Sequence, residues 1–233
     1  MANRPIFIAN EPHLLPGVTI NDTEFKWYPG MSKSQKQKSI TDLHASGVNK
    51  GLKNILEISS KSQTEIGVKL SAFNLKITTP KKLKFSVETA FQSSKVFENG
   101  GPYTDLLHKT SREAKKDIRL KESGNLLGFS FFGKQFPTSP HTFFYDWLYL
   151  NALKQNPEFV EELIRYEAFT DIEFNPKKSL NGQAYSAALF VSLYHSGQLN
   201  EVLKTPEKFL QVLEPEYTQK DAKTVIQTSL ILS

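Results

Sequence analysis

Ser86-Val87-Glu88-Thr89-Ala90-Phe91-Gln92-Ser93-Ser94-Lys95-Val96-Phe97 reads as a short helix. Ser86 is suited to accept a first-turn N–H, and Asn99-Gly100-Gly101-Pro102 stops the run. At about 100° per residue, Glu88, Gln92 and Lys95 fall at about 0°, 40° and −20°, on one narrow stripe. Val87, Ala90, Phe91, Val96 and Phe97 take the other directions, the pattern of a helix buried on most sides. The carboxylate and the ammonium then either pair on a solvated face or look into a cleft.

Outward from this stretch, the chain has 233 residues, enough for one large domain and a substantial core rich in its 17 phenylalanines. It has no cysteine, which excludes disulfides and thiolate metal sites and fits a reducing compartment. The segment Met1-Ala2-Asn3-Arg4-Pro5 lacks the apolar core of a signal peptide, and no apolar run approaches the ~20 residues of a membrane span. A soluble, cytoplasmic protein without membrane contact is expected. The net charge of +5 is compatible with a polyanionic partner and does not identify one. Its distribution says more. Residues 31–53 carry Lys33, Lys36, Lys38, Lys50 and Lys53 against the single acid Asp42, and Lys76, Lys81, Lys82 and Lys84 follow one another without an acid between them.

Before the central helix, Ile6-Phe7-Ile8 predicts a strand. Val18-Thr19-Ile20 and Phe25-Lys26-Trp27-Tyr28 predict a hairpin turning at Asn21-Asp22. A polar helix is expected from Ser32 to Ala45, with Ile40 and Leu43 inward and a break from Gly47 to Gly51. Ile55–Ile58, Leu70–Ile77 and Lys82–Phe85 predict short strands. Beyond the central helix, helices are expected at 104–109, at 111–121 capped by Ser111, at 141–155, from Pro157 to Tyr166, at 180–195 and from Pro206 to Leu213. Leu126–Phe132 is a strand or a buried turn, Phe169–Pro176 a loop, and the tail from Val225 a further strand. The expected class is α+β, mostly helical, with one small sheet.

No nucleophile elbow, P-loop or dinucleotide glycine fingerprint is present. The histidines, His13, His44, His108, His141 and His195, lack ligand spacing, so no metal or other cofactor is expected. Carboxylates and lysines remain. Asp171 is either a turn residue or a catalytic acid between Phe169 and Phe174. Ser59-Ser60-Lys61-Ser62 is either an ordinary turn or a phosphate cradle. Trp27 and Tyr28, near Lys33, Lys36 and Lys38, either stack a base beside phosphate contacts or belong to the core.

Several segments, in order, resemble the NADAR family of N-glycosidases, which includes the YbiA-type proteins. Leu70-Ser71-Ala72-Phe73 is similar to the family's L-S-N-F. The stretch from Ser86 to Phe97 is similar to T-x-E-H-Y-F-Q-A-x-K-F, and Ser111-Arg112-Glu113-Ala114-Lys115 to S-P-x-E-A. Leu153-Lys154-Gln155-Asn156-Pro157-Glu158-Phe159 resembles K-F-x-Q-N-P-E-L. Asp171 and Gln183-Ala184-Tyr185-Ser186 fall where the family has an aspartate and then N-x-L-G, and Ile58-Ser59-Ser60 where it has an F-Y-S-like strand end. The departures are Thr89 for histidine, Ala72 for asparagine, Ile172-Glu173 for a tryptophan-glycine pair, and the lost glycine near Ser186. The resemblance spans roughly residues 54–195. Phe25–Gly30 and Ser34–Ser39 resemble the subgroup that accompanies DarT-type toxins, which ADP-ribosylate guanine in DNA.

The resemblance implies a basic N-terminal extension at 1–53 packed on a YbiA-like catalytic domain at 54–200, with a C-terminal helix and tail at 201–233. It implies Glu88, Lys95 and Asp171 as catalytic residues. Ser59, Ser71, Phe73, Gln92 and Gln183 would bind substrate, and Trp27, Lys33, Lys36 and Lys38 nucleic acid. Glu88 would do acid–base work at an N-glycosidic bond. Lys95 would attack the ribose as a Schiff-base lysine or hold phosphate. The implied activity is removal of ADP-ribose from guanine in DNA, as antitoxin to a DarT-type toxin. An N-glycosidase of phosphorylated riboflavin intermediates and a non-catalytic ADP-ribose-binding protein are the rival readings.

Overall fold

The computed structural model describes residues 1–175 and 182–218. Two antiparallel strands, β1 (Ala2–Ala9) and β2 (Val18–Phe25), open the chain and pair along their full length, Ala2 opposite Phe25 and Ala9 opposite Val18. The expected hairpin at Asn21-Asp22 does not form: both residues lie inside β2, opposite Ile6 and Pro5. Ser32 caps α1 (Lys33–Asn49) by accepting from the Gln35 N–H. This helix runs through Gly47 instead of breaking there. A Cβ at Gly47 would lie 2.7 Å from Ile6 and 2.8 Å from Ile55, so the missing side chain lets the helix lie close on the sheet.

Next come β3 (Ile55–Glu57) and α2 (Glu65–Lys69), a short helix capped by Thr64 that the sequence did not announce. The hairpin β4 (Lys76–Thr78) and β5 (Lys84–Ser86) leads straight into α3 (Val87–Ser93). There the structure departs from the predicted helix. The Ser93 and Ser94 hydroxyls both donate to the Ala90 carbonyl, at 3.0 and 2.7 Å, in competition with the backbone ladder. The Ser130 N–H donates to the Ser94 carbonyl at 2.7 Å. Lys95 therefore starts a strand, β6 (Lys95–Phe97), not a second helical turn.

A 3-10 turn at Thr104–His108 precedes α4 (Ser111–Lys116) and α5 (Arg119–Glu122). Thr110, not Ser111, caps α4, in a capping box with Glu113, and the helix expected at 111–121 is broken at Asp117. Then follow β7 (Leu126–Phe131), β8 (Lys134–Phe136), α6 (Phe143–Lys154), α7 (Pro157–Leu163), β9 (Ala168–Thr170), α8 (Gln183–His195), α9 (Leu199–Val202) and, last of the described elements, α10 over 206–218. The loop expected at Phe169–Pro176 thus begins as a strand. The expected strand at Val225 lies outside the described residues.

Among the described residues, three small sheets stand where one was expected: β2-β1-β9-β3, β4-β5 and β6-β7-β8. In the first, β1 is antiparallel to β2 and β9, while β3 is parallel to β9. Residues 1–53 thus supply two of its four strands as well as α1. The class is α+β. In the core, α8 buries every residue from Ala184 to Leu193, its small side chains allowing close approach to α6. Phenylalanines join β7 and β8 to α6: the Phe129 and Phe136 rings each lie 4.7 Å from Phe144. Buried Asp146 accepts from Ser186 on α8 at 2.6 Å and from Tyr217 on α10 at 3.2 Å. A smaller core of Ile6, Phe25, Ile40, Leu43, Ala168 and Ile172 seals α1 to the first sheet. Among the described residues no helix is long and apolar enough to cross a membrane.

Candidate active site

Glu88 lies in the first turn of α3, 6 % exposed, its backbone N–H donating to the Ala72 carbonyl at 2.9 Å. Gln92, one turn on, donates from Nε2 to Glu88 Oε1 at 3.0 Å. The same carboxylate oxygen faces Lys115 Nζ at 3.7 Å. Lys115 comes from α4 and lies over the Phe73 ring, 5.2 Å from its centre.

Lys95 reaches this cluster from the head of β6, not along the helix. Its Nζ lies 5.0 Å from the centre of the Phe91 ring. Burial lowers its pKa; the Glu88 charge opposes that and the Lys115 charge adds to it. A desolvated amine beside a second cation is the setting in which lysine becomes nucleophilic. Backbone geometry holds it there. Gly101 has φ +83°, and a Cβ on it would collide with the Lys95 carbonyl oxygen.

Asp171 follows directly on β9. Its Oδ1 accepts from the N–H groups of Glu173 and Phe174, at 2.9 and 3.1 Å, and its Oδ2 from Gln183 Nε2 at 2.9 Å. Gln183 also donates to the Ile58 carbonyl at 2.7 Å and accepts from the Ala72 N–H at 2.6 Å. Ala72 therefore joins the two halves, its N–H tied to the Asp171–Gln183 pair and its carbonyl to the Glu88 backbone. Tyr145 lies in the field of both carboxylates; burial first, then Glu88 and in smaller measure Asp171, raise its phenol pKa.

Beneath Asp171 sits a second acid, Glu57, at the end of β3. It accepts from the Thr170 hydroxyl at 2.6 Å and from the Ile172 N–H at 2.9 Å. His44 Nε2 meets the same Thr170 hydroxyl at 2.8 Å. Burial raises the pKa of both acids, helped by the Glu173 charge at Glu57 and by the Glu57 charge at Asp171, and burial lowers that of His44 to about 4. On the outer side, Arg4 from β1 lies in the Asp171 field with its Nε buried and without a hydrogen-bond partner.

The remaining residues singled out from the sequence divide by position. Phe73 is half-buried under Lys115. Ser59 is buried, accepts from the Lys61 N–H at 3.1 Å and bonds Glu57. Ser71 is buried in its own turn, donating to the Val68 carbonyl at 2.8 Å. Trp27 carries Lys36 Nζ at 4.6 Å and the Arg4 guanidinium at 5.5 Å from its ring. Lys36 is 8 % exposed and pairs with Glu173 at 3.3 Å, so it faces inward, whereas Lys33 and Lys38 are exposed. Lys115, Glu57, His44 and Arg4 were not singled out. An acid inside the apolar run Ile55-Leu56-Glu57-Ile58 was the available signal for Glu57.

Residues 2–223 match the family model of the DarT1-associated NADAR antitoxins. No curated protein matches the chain.

Proposed function

The chain belongs to the DarT1-associated NADAR antitoxin family, and from that membership we propose that it is an N-glycosidase that removes ADP-ribose from guanine in DNA, reversing the modification made by its paired toxin. The observation that carries this reading is the cluster of Glu88, Lys95 and Lys115: one buried carboxylate with a hydrogen-bonded amide, one desolvated amine and one solvent-side cation. Breaking the bond between guanine and the ribose anomeric carbon builds positive charge on the ribose and requires a proton on the departing nitrogen. Lys95, as the free amine, bonds to the anomeric carbon while the bond to guanine breaks. Glu88 takes the proton that the new C–N bond sheds and delivers it to guanine. The resulting glycosylamine opens its ribose ring to a Schiff base, which water then hydrolyses, freeing the amine and releasing ADP-ribose. Lys115, 57 % exposed, suits the ADP-ribose diphosphate as a point charge. Asp171, held by Gln183, suits the ribose hydroxyls.

The test is release of ADP-ribose from guanine-ADP-ribosylated DNA. The wild-type protein is expected to release it, and Glu88→Gln to turn over at least ~100-fold more slowly, the scale of a lost acid–base group. Equal rates would remove Glu88 from the chemistry. Binding of ADP-ribose without turnover by the wild-type protein would make it a reader, not an eraser.

A further inference from the structure

A groove of about 420 Å³ opens beside the Glu88 cluster. One wall is the β4–β5 hairpin, where Lys76 pairs with Ser86 and Thr78 with Lys84, so both lysines stand on one face. Lys109 comes from the opposite wall, and no carboxylate lines the groove. All three lysines are exposed and, among the described residues, none lies within ion-pair distance of a carboxylate; the Lys109 charge is felt by Glu113 and Asp117, which do not line the groove. Three ammonium groups around one opening raise its potential and favour an anion there.

The groove leads to the chemistry. Phe73 lines it and lies beneath Lys115, the cation that faces Glu88. Ser111, also in the lining, donates to the Phe73 carbonyl at 2.8 Å and stands 2.7 Å from the hydroxyl of Ser86, the cap of α3.

An aromatic platform stands beside it. Phe132, at the tip of the β7–β8 hairpin, is 62 % exposed. Its ring lies 6.0 Å from that of Phe85, a lining residue, at an interplanar angle of 17°. Its φ of +46° lies in the left-handed region, where a bulky side chain is an outlier and asparagine or glycine the usual choice. The turn itself gives no reason for a surface phenylalanine.

We propose that this groove is the track of the nucleic-acid strand that carries the modified guanine. Its phosphates lie against Lys76, Lys84 and Lys109, an unpaired base stacks on Phe132, and the modified nucleotide passes Phe73 to reach Glu88. The strand is single where it crosses, because a base in a duplex stack cannot reach a carboxylate this buried. Aromatic stacking beside a basic groove is the means by which unpaired strands are held without sequence readout. The proposal rests on the glycosidase reading for its substrate. The same phosphate chemistry belongs to the ADP-ribose diphosphate, and the two sources separate by experiment.

The measurement is anisotropy of a short, unmodified, fluorescein-labelled single-stranded oligonucleotide over a salt series, with calorimetry of ADP-ribose on the same proteins and thermal melting as a check of folding. The triple variant Lys76→Gln/Lys84→Gln/Lys109→Gln is expected to bind the oligonucleotide at least about tenfold more weakly at ~0.1 M salt, with a log–log salt slope smaller by about 2. Its affinity for ADP-ribose and its melting temperature are expected to stay unchanged. Phe132→Asn, which suits the turn, is expected to weaken oligonucleotide binding about tenfold without changing the slope. Unchanged oligonucleotide binding in the triple variant overturns the proposal. So does a loss confined to ADP-ribose, which makes the groove a diphosphate site, and so does a loss seen only with Lys33→Gln/Lys38→Gln. Groove-dependent binding by a wild-type protein that releases no ADP-ribose would sink the glycosidase reading and leave the track standing.

Discussion

Asp171 and Glu57 are two acids under one small sheet, and their titration has a measurable signature. Burial and the neighbouring Glu57 charge push Asp171 up from 3.8 to about 8, so the folded pair keeps a proton that the unfolded chain has released. Its contribution to stability is complete below the unfolded pKa and is lost as pH rises towards 8. His44 acts in the opposite sense. Its folded pKa, lowered to about 4 from 6.5 by burial, makes stability fall as pH drops through that interval. Between about pH 4 and 6.5 the two slopes oppose each other. Above pH 6.5 only the acid pair of these two sites still titrates, at about 1.4 kcal/mol per pH unit for one proton. Denaturant midpoints at pH 6.5 and 8 are therefore expected to show a loss of about 2 kcal/mol in the wild-type protein and a smaller one in Glu57→Gln, which removes the charge that repels Asp171 and leaves its burial in place. An identical loss in both proteins would show that the Glu57 charge does not help hold the proton on Asp171.

The turn from α3 into β6 decides where Lys95 stands. The amphipathic stripe from Val87 to Ser93 was legible, because side-chain periodicity is local. The end of the helix was not, because it depends on the Ser130 N–H, which arrives from β7. For the same reason the three-residue strand β9 was invisible: it exists through pairing with β1 on one side and β3 on the other. For α1 the sequence offers Ser32 or Ser34 as the cap, and the structure uses Ser32; Thr110 was not chosen because Ser111 beside it offers the same hydroxyl. The Lys95 amine feels the Glu88 charge, but not through the predicted helical stripe: a strand, not a second helical turn, carries the lysine back over Phe91. Lys36 was counted with its exposed neighbours, yet Trp27 and Glu173 hold it inward. One glycine tests the turn. Gly101→Ala places a Cβ against the Lys95 carbonyl at positive φ and is expected to cost about 1–3 kcal/mol, with loss of ADP-ribose release. Gly51 also has positive φ but nothing within 4 Å, so Gly51→Asn should melt near the wild-type temperature and keep its activity. Equal behaviour of the two variants would show that the packing at Gly101 does not position Lys95.

Among the described residues, the first 53 and the elements that carry Glu88, Lys95 and Asp171 form one structure. β1 lies between β2 and β9, Arg4 stands near Asp171, and Lys36 reaches Glu173. Deleting residues 1–53 exposes the β9 edge and removes α1 from the smaller core. The truncated chain is expected to lack a cooperative thermal transition; a sharp melt would mean that the remainder folds alone. The sheet also fixes Asp171 at the end of β9, Gln183 ties it to Ala72, and Ala72 meets Glu88, so the acid, the amine and the second carboxylate share a rigid frame. The most direct measurement is borohydride trapping during turnover of guanine-ADP-ribosylated DNA, followed by mass analysis of the protein. The expected result is an ADP-ribose adduct on Lys95 in the wild-type protein, with neither adduct nor turnover in Lys95→Ala. Wild-type turnover that Lys95→Ala retains in full, with no trapped adduct in either protein, would contradict it.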